Sequence, residues 1–125
     1  MTIYDAIELF DREHPNKAPF SLKIQWLSQL DYKVHVEILE PRGYAPFGGY
    51  TLETPQDTTL LVPDAFGEIY GYYLKMSLDL HNNELDRFNN SAMLFNRTYK
   101  ELFDYINRNE CVTKKIRITA GDLIV

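Results

Sequence analysis

Little in this sequence points to chemistry. It holds one cysteine, Cys111, so no disulfide forms within the chain. That fits a reducing compartment. No stretch approaches the roughly 20 apolar residues of a membrane-spanning helix. Met1 to Phe10 carries Asp5 and Glu8 and no apolar run of signal-peptide length. The reading is a protein made and kept in a cytoplasm, or packed into a particle assembled there. Cationic residues are scarce: 13 Lys and Arg stand against 18 Asp and Glu, a net charge of −5. Phosphate backbones repel such a chain, which argues against a nucleic-acid binder. The one basic cluster, Lys114, Lys115 and Arg117, reads as a solvated strand edge.

Catalytic and metal motifs are missing too. No Gly-x-Ser-x-Gly occurs, and Gly48-Gly49 lacks the following Lys-Ser/Thr of a phosphate loop. His14, His35 and His81 are scattered. His81 and Glu84 form one pair in reversed order, whereas a bundle metal site needs several Glu-x-x-His pairs on facing helices. No cysteine cluster supports zinc. Cys111 has no motif around it and reads as a small, at least partly buried thiol. Asn89-Asn90-Ser91 and Asn96-Arg97-Thr98 match the glycosylation triplet, which carries no meaning without a secretion signal. The expectation is a protein of assembly or binding, with no enzyme activity, metal or cofactor.

What the chain does have is aromatic surface. Its 125 residues fit one domain and include nine Tyr, seven Phe and one Trp. Such side chains dominate cores and interfaces. The expected fold is mainly α: a small bundle of three to four helices over 1–110, with a long aromatic loop at 41–63. A short β-type tail, an extended arm, is expected over 111–125.

Thr2 is placed to cap a first helix, with Asp5 in its first turn and Ile3, Ala6, Ile7 and Phe10 on one stripe. Pro15 ends it. Ser21 is the expected cap of a second helix, in which Leu22, Trp26, Leu30, Val34 and Ile38 recur every four residues, widened by Ile24 and Leu27. Lys23, Gln29, Asp31, Lys33 and Glu37 read as the polar residues between them, and Pro41 stops the helix. Prolines and glycines then break any pattern through Pro63, although Leu60 to Val62 suits a short strand. Disordered linkers are poor in aromatics. Tyr44, Phe47 and Tyr50 therefore either dock on a partner or fold back onto their own core.

Ile69, Tyr73, Met76 and Leu80 make a third stripe, flanked by Tyr70, Leu74 and Leu78. Leu85, Phe88, Ala92, Phe95, Tyr99, Leu102 and Ile106 make a fourth. The phase slips at Asn82–Asn83, which favours two helices over one bent helix, with Asn83 as the cap of the second. Asn89 and Asn96 share a face beside the fourth stripe, suited either to a register-fixing amide or to plain exposure. In the tail, Val112, Lys114, Ile116 and Ile118 alternate partially, and Leu123, Ile124 and Val125 close the chain. A strand there would pair with Leu60–Val62 or with a neighbouring subunit.

Two stretches carry a resemblance. One is Lys23-Ile24-Gln25-Trp26-Leu27-Ser28-Gln29-Leu30-Asp31 with Glu37-Ile38. The other runs from Leu60-Leu61-Val62-Pro63 through Ile69-Tyr70, Tyr73-Leu74, Arg87-Phe88-Asn89-Asn90-Ser91, Leu94-Phe95-Asn96 and Tyr105-Ile106-Asn107-Arg108. Over Thr2 to Arg108 the chain resembles the head–tail connectors, or head-completion adaptors, of tailed phages. The tail after Cys111 departs from that pattern. The resemblance implies a helical virion protein of the phage neck, present in the host cytoplasm before assembly. It would form a ring, twelve-fold in the finished particle, that binds the portal and tail-side stopper or tail proteins. Ring contacts are heterologous, so two different surfaces of one chain must match. The candidates are Tyr44, Phe47 and Tyr50 on the loop, and Ile116, Ile118, Leu123, Ile124 and Val125 on the tail. The alternative is a small intracellular protein-binding or regulatory module of phage origin.

Overall fold

Helix α1, Ile3–Glu13, starts where the sequence places its cap. The Thr2 hydroxyl accepts from the Asp5 amide, and the Asp5 carboxylate accepts from the Thr2 amide, both at 3.1 Å. This reciprocal pair satisfies two amides at the helix start, and it holds the Asp5 carboxyl below its ordinary pKa. Ile3, Ala6, Ile7 and Phe10 are buried, as their spacing predicts. In this computed structural model the backbone is described for residues 1–122 and the side chains for residues 1–108.

Helix α2, Phe20–Val34, begins behind Pro19, so Ser21 lies inside it rather than capping it. Ile24, Trp26, Leu27, Leu30 and Val34 are buried. Lys23 and Asp31 are buried as well, contrary to the polar face expected for them. The helix then widens into a π-helical turn, His35–Leu39, and tightens into a 3-10 turn, Glu40–Arg42. Pro41, without an amide hydrogen, is accommodated in this irregular end. The Arg42 guanidinium donates to the Ile38 carbonyl, and Gly43 closes the turn at φ 83°, in the left-handed region glycine tolerates.

From Tyr44 to Pro63 the described chain has no strand, only an isolated bridge between Thr2 and Thr59. The strand expected at Leu60–Val62 is absent because its amides have other partners: the Met1 carbonyl for Leu60, the Asp31 carboxylate for Leu61 and the Tyr70 hydroxyl for Val62. The residues just before it serve the start of α1. The Ile3 amide donates to the Thr58 carbonyl and the Tyr4 amide to the Gln56 carbonyl, each at 3.0 Å. Those are the donors a helix N-terminus leaves open. Leu60 donates back to the Met1 carbonyl at 2.9 Å.

Helix α3, Glu68–His81, follows a short 3-10 turn, Asp64–Phe66. Ile69, Tyr70, Leu74 and Leu78 are its buried residues, while Tyr73 and Met76 are partly buried and Leu80 is exposed. The stripe is therefore centred on the residues expected to flank it. At its end Asn83 adopts φ 59°. The Asn83 amide donates to the Leu80 carbonyl at 3.1 Å and the Glu84 amide to the Asp79 carbonyl at 2.8 Å. This is a Schellman motif. Asn83 thus ends α3 instead of capping α4, Leu85–Asp122, whose first turn closes from Phe88 onto the Glu84 carbonyl.

The break is real, and two helices replace one bent one. The extended arm expected from 111 is instead helix as far as Asp122, and Leu123–Val125 lie outside the described residues. Extending a helix adds a hydrogen bond for each residue fixed, with no new nucleus to form, and that outweighs the β preference of Val112, Ile116 and Ile118.

Among the described residues the four helices pack around α3, which touches the other three. Tyr70 meets Asp31 and Tyr73 meets Gln29 on α2; Asp79 meets Ser91 and Tyr73 meets Phe95 on α4. Phe66 and Tyr105 meet at a tilt at the far end, ring centroids 5.0 Å apart.

Candidate interaction surface

The loop between α2 and α3 is long, yet it is tied down from beneath. Its tie is Asp31, at 0% exposure. Its carboxylate accepts from the Tyr50 hydroxyl, from the Tyr70 hydroxyl at 2.7 Å and from the Leu61 amide at 3.1 Å. The Tyr70 oxygen in turn accepts from the Val62 amide at 2.9 Å. Three donors, from α3 and the loop, thus converge on one carboxylate of α2 without a cation. Burial raises the Asp31 pKa, and the three donors work against that rise. Burial and the neighbouring carboxylate push both tyrosine hydroxyls upward, so they remain donors. A buried carboxylate is tolerated only when its oxygens are hydrogen-bonded, and here both are.

A second tie holds the loop's crest. The Tyr50 amide donates to the Ser28 hydroxyl at 2.9 Å. Gly49, at φ 86°, comes so close to α2 that a Cβ there would lie 2.9 Å from the Ser28 oxygen. The loop therefore presents a fixed surface. Phe47 sits at its centre, with ring centroids 5.0 Å from Tyr50, 6.5 Å from Tyr32 and 6.2 Å from His35. Around it Tyr32 is 55% exposed, Tyr44 51% and Leu52 64%. Val36 is exposed on the next turn. A shallow groove between α2 and the crest is lined by Ile24, Ser28, Tyr32, Gly49, Tyr50 and Leu52, among others.

A second, polar cleft lies at the opposite end of the bundle, between the α1–α2 connection and the α3–α4 turn. Glu13, His14, Lys17, Lys75, Asp79, His81, Glu84 and Arg87 are among its lining residues. Several of its charges are used on one another. Lys75 pairs with buried Asp79, which also accepts from Ser91 at 2.9 Å, and Arg87 pairs with Glu84 at 3.1 Å. The His81 ring stands edge-on to Trp26. Among the described residues no three His, Cys, Asp or Glu side chains are grouped to hold a metal ion. No helix among them is long and apolar enough to cross a membrane.

The predicted contact residues divide. Tyr44 is exposed, Phe47 is half-buried, and Tyr50 is buried as the anchor. For Tyr50 the docking role gives way to folding back on its own core, because its hydroxyl reaches Asp31. Ile116 and Ile118 stand on the α4 backbone, but their side chains, like Leu123, Ile124 and Val125, lie outside the described residues. Asn89 and Asn96 are exposed, so neither supplies a buried register amide. Sequence reasoning missed Tyr32 and Leu52 as surface residues and Asp31 as the hub. The signal for Asp31 was present: it stands four residues after Leu27 and three before Val34, on the apolar stripe.

The arrangement defines a class only: a mainly helical domain, without a strand among the described residues, carrying an anchored aromatic surface. No family model, curated protein or solved structure matches the chain.

Proposed function

We propose that this chain is a structural subunit of a phage neck, an adaptor in a ring that joins the portal to tail-side proteins. The observation that carries the reading is the Tyr32–Tyr44–Phe47–Leu52 surface on a loop pinned through Tyr50. Association costs less when the contacting loop is already ordered, and this loop is ordered by its own buried hub. Aromatic side chains set in a fixed frame suit the centre of a protein–protein contact. In a ring the matching surface is a different one, and the C-terminal run with Ile116, Ile118, Leu123, Ile124 and Val125 supplies an apolar candidate. The groove between α2 and the loop crest favours a second reading, a small protein-binding module that takes a peptide.

The test is to mix the full chain with a portal protein encoded in the same genome and image the product by electron microscopy. The neck reading expects added ring density on the portal, with Tyr44 and Leu52 covered by a neighbouring chain. Bare portals, or a Tyr44→Ala/Leu52→Ser variant that assembles as well as the parent, would reject it.

A further inference from the structure

The aromatic surface contains a smaller feature with its own chemistry. A cleft of about 240 Å³ is lined by Tyr32, His35, Glu40, Tyr44, Pro46 and Phe47. That is below the roughly 300–1,000 Å³ of a small-molecule site and on the scale of one side chain. Three of its lining residues are Tyr or Phe, and two of these, Tyr32 and Tyr44, are half exposed. Glu40 adds an exposed carboxylate on the same cleft.

The nearby cations are committed elsewhere. Lys33 pairs with Glu37 at 2.8 Å and lies 5.1 Å from the centre of the Tyr99 ring. Arg42 donates to the Ile38 carbonyl and lies over Phe103. Glu40 has no ion-pair or hydrogen-bond partner for its side chain among the described residues. Electron-rich ring faces beside an uncompensated carboxylate attract a cation. The net charge of −5 draws the same kind of partner.

We propose that this cleft is a receptor for a single arginine side chain presented by a partner protein. A guanidinium suits it better than an ammonium, because its plane stacks on tyrosine while its edge donates to a carboxylate. The inference rests on the interaction-surface reading and names the chemistry of the partner.

The probe is an acetylated, amidated Gly-Ser-Arg-Ser-Gly peptide, titrated into the isotope-labelled full chain and followed by NMR. Matched peptides carry lysine or norleucine in place of arginine. Saturable shifts at His35, Tyr44 and Phe47 are expected with arginine, weaker with lysine and absent with norleucine. Glu40→Gln, at an exposed site that leaves the fold intact, should weaken arginine binding about fivefold. No saturable shift, an equal response to lysine or norleucine, or an unchanged Glu40→Gln variant overturns the proposal. If the peptide fails while the portal ring still forms, only the arginine site falls. If the peptide binds and the portal stays bare, the neck reading falls and the site stands.

Discussion

Replacing Tyr50 by Phe deletes one oxygen and nothing else, so it measures what the buried hub contributes. A hydrogen bond to a charged group contributes about 1.5–3 kcal/mol. Asp31 keeps two other donors in the variant, Tyr70 and the Leu61 amide. The loss should therefore fall in the lower part of that range, about 1.5–2 kcal/mol at neutral pH. For a chain of this size each kcal/mol moves Tm by about 4 °C, so the drop should be about 6–8 °C.

The effect should also depend on pH, with a definite sign. Burial raises the Asp31 pKa above that of the unfolded chain. The native state then keeps its proton to higher pH than the unfolded state does. The stability this residue confers is fully present below the unfolded value of about 3.9 and declines as pH rises through the native value. Once Asp31 is protonated, the bond from Tyr50 becomes a neutral one, about half as strong. The Tyr50→Phe penalty should therefore shrink to about 1 kcal/mol in acid. Thermal melts followed by circular dichroism at pH 7 and in acid test both points. Amide exchange should quicken across 47–52 in the variant. A variant that melts within a degree of the parent at pH 7, or whose penalty grows in acid, refutes the reasoning.

Other substitutions probe features further from the hub. Thr2→Ala removes the α1 cap and should lower stability by about 1 kcal/mol, read from the midpoint of urea unfolding. Gly49→Ala meets both a positive φ and the Ser28 oxygen, so it should cost at least about 1–2 kcal/mol and loosen the loop crest in amide exchange. Asn83→Ala should cost about 1 kcal/mol by straining the left-handed end of α3, whereas Asn83→Gly should melt close to the parent, as paired calorimetric scans will show.

How far the sequence discloses this molecule depends on the reach of each interaction. The start of α1 was legible because its cap and apolar stripe lie within eight residues of Thr2. The end of α3 was half legible: the phase slip located the break, but asparagine serves helix starts and left-handed helix ends alike. Asp31 was read as surface because of its charge, although its position on the stripe places it inside. Nothing near Tyr50 in sequence reveals a partner 19 residues away, so anchor and contact residue looked the same. The tail misled because β-branched residues were weighed without the helix already running into them.

The π-helical turn at the end of α2 has a bearing on chain length. Such a turn behaves as one residue inserted into an α-helix. Deleting a single residue within His35–Leu39 would let the regular ladder close, with everything beyond it keeping nearly its bearing, because the widened turn absorbs that residue. Arg42 would stay close to Phe103, and the chain would still depart towards the side on which Tyr50 reaches Asp31. The same deletion made in the regular part of α2 would instead swing everything beyond it by about 100° around the axis.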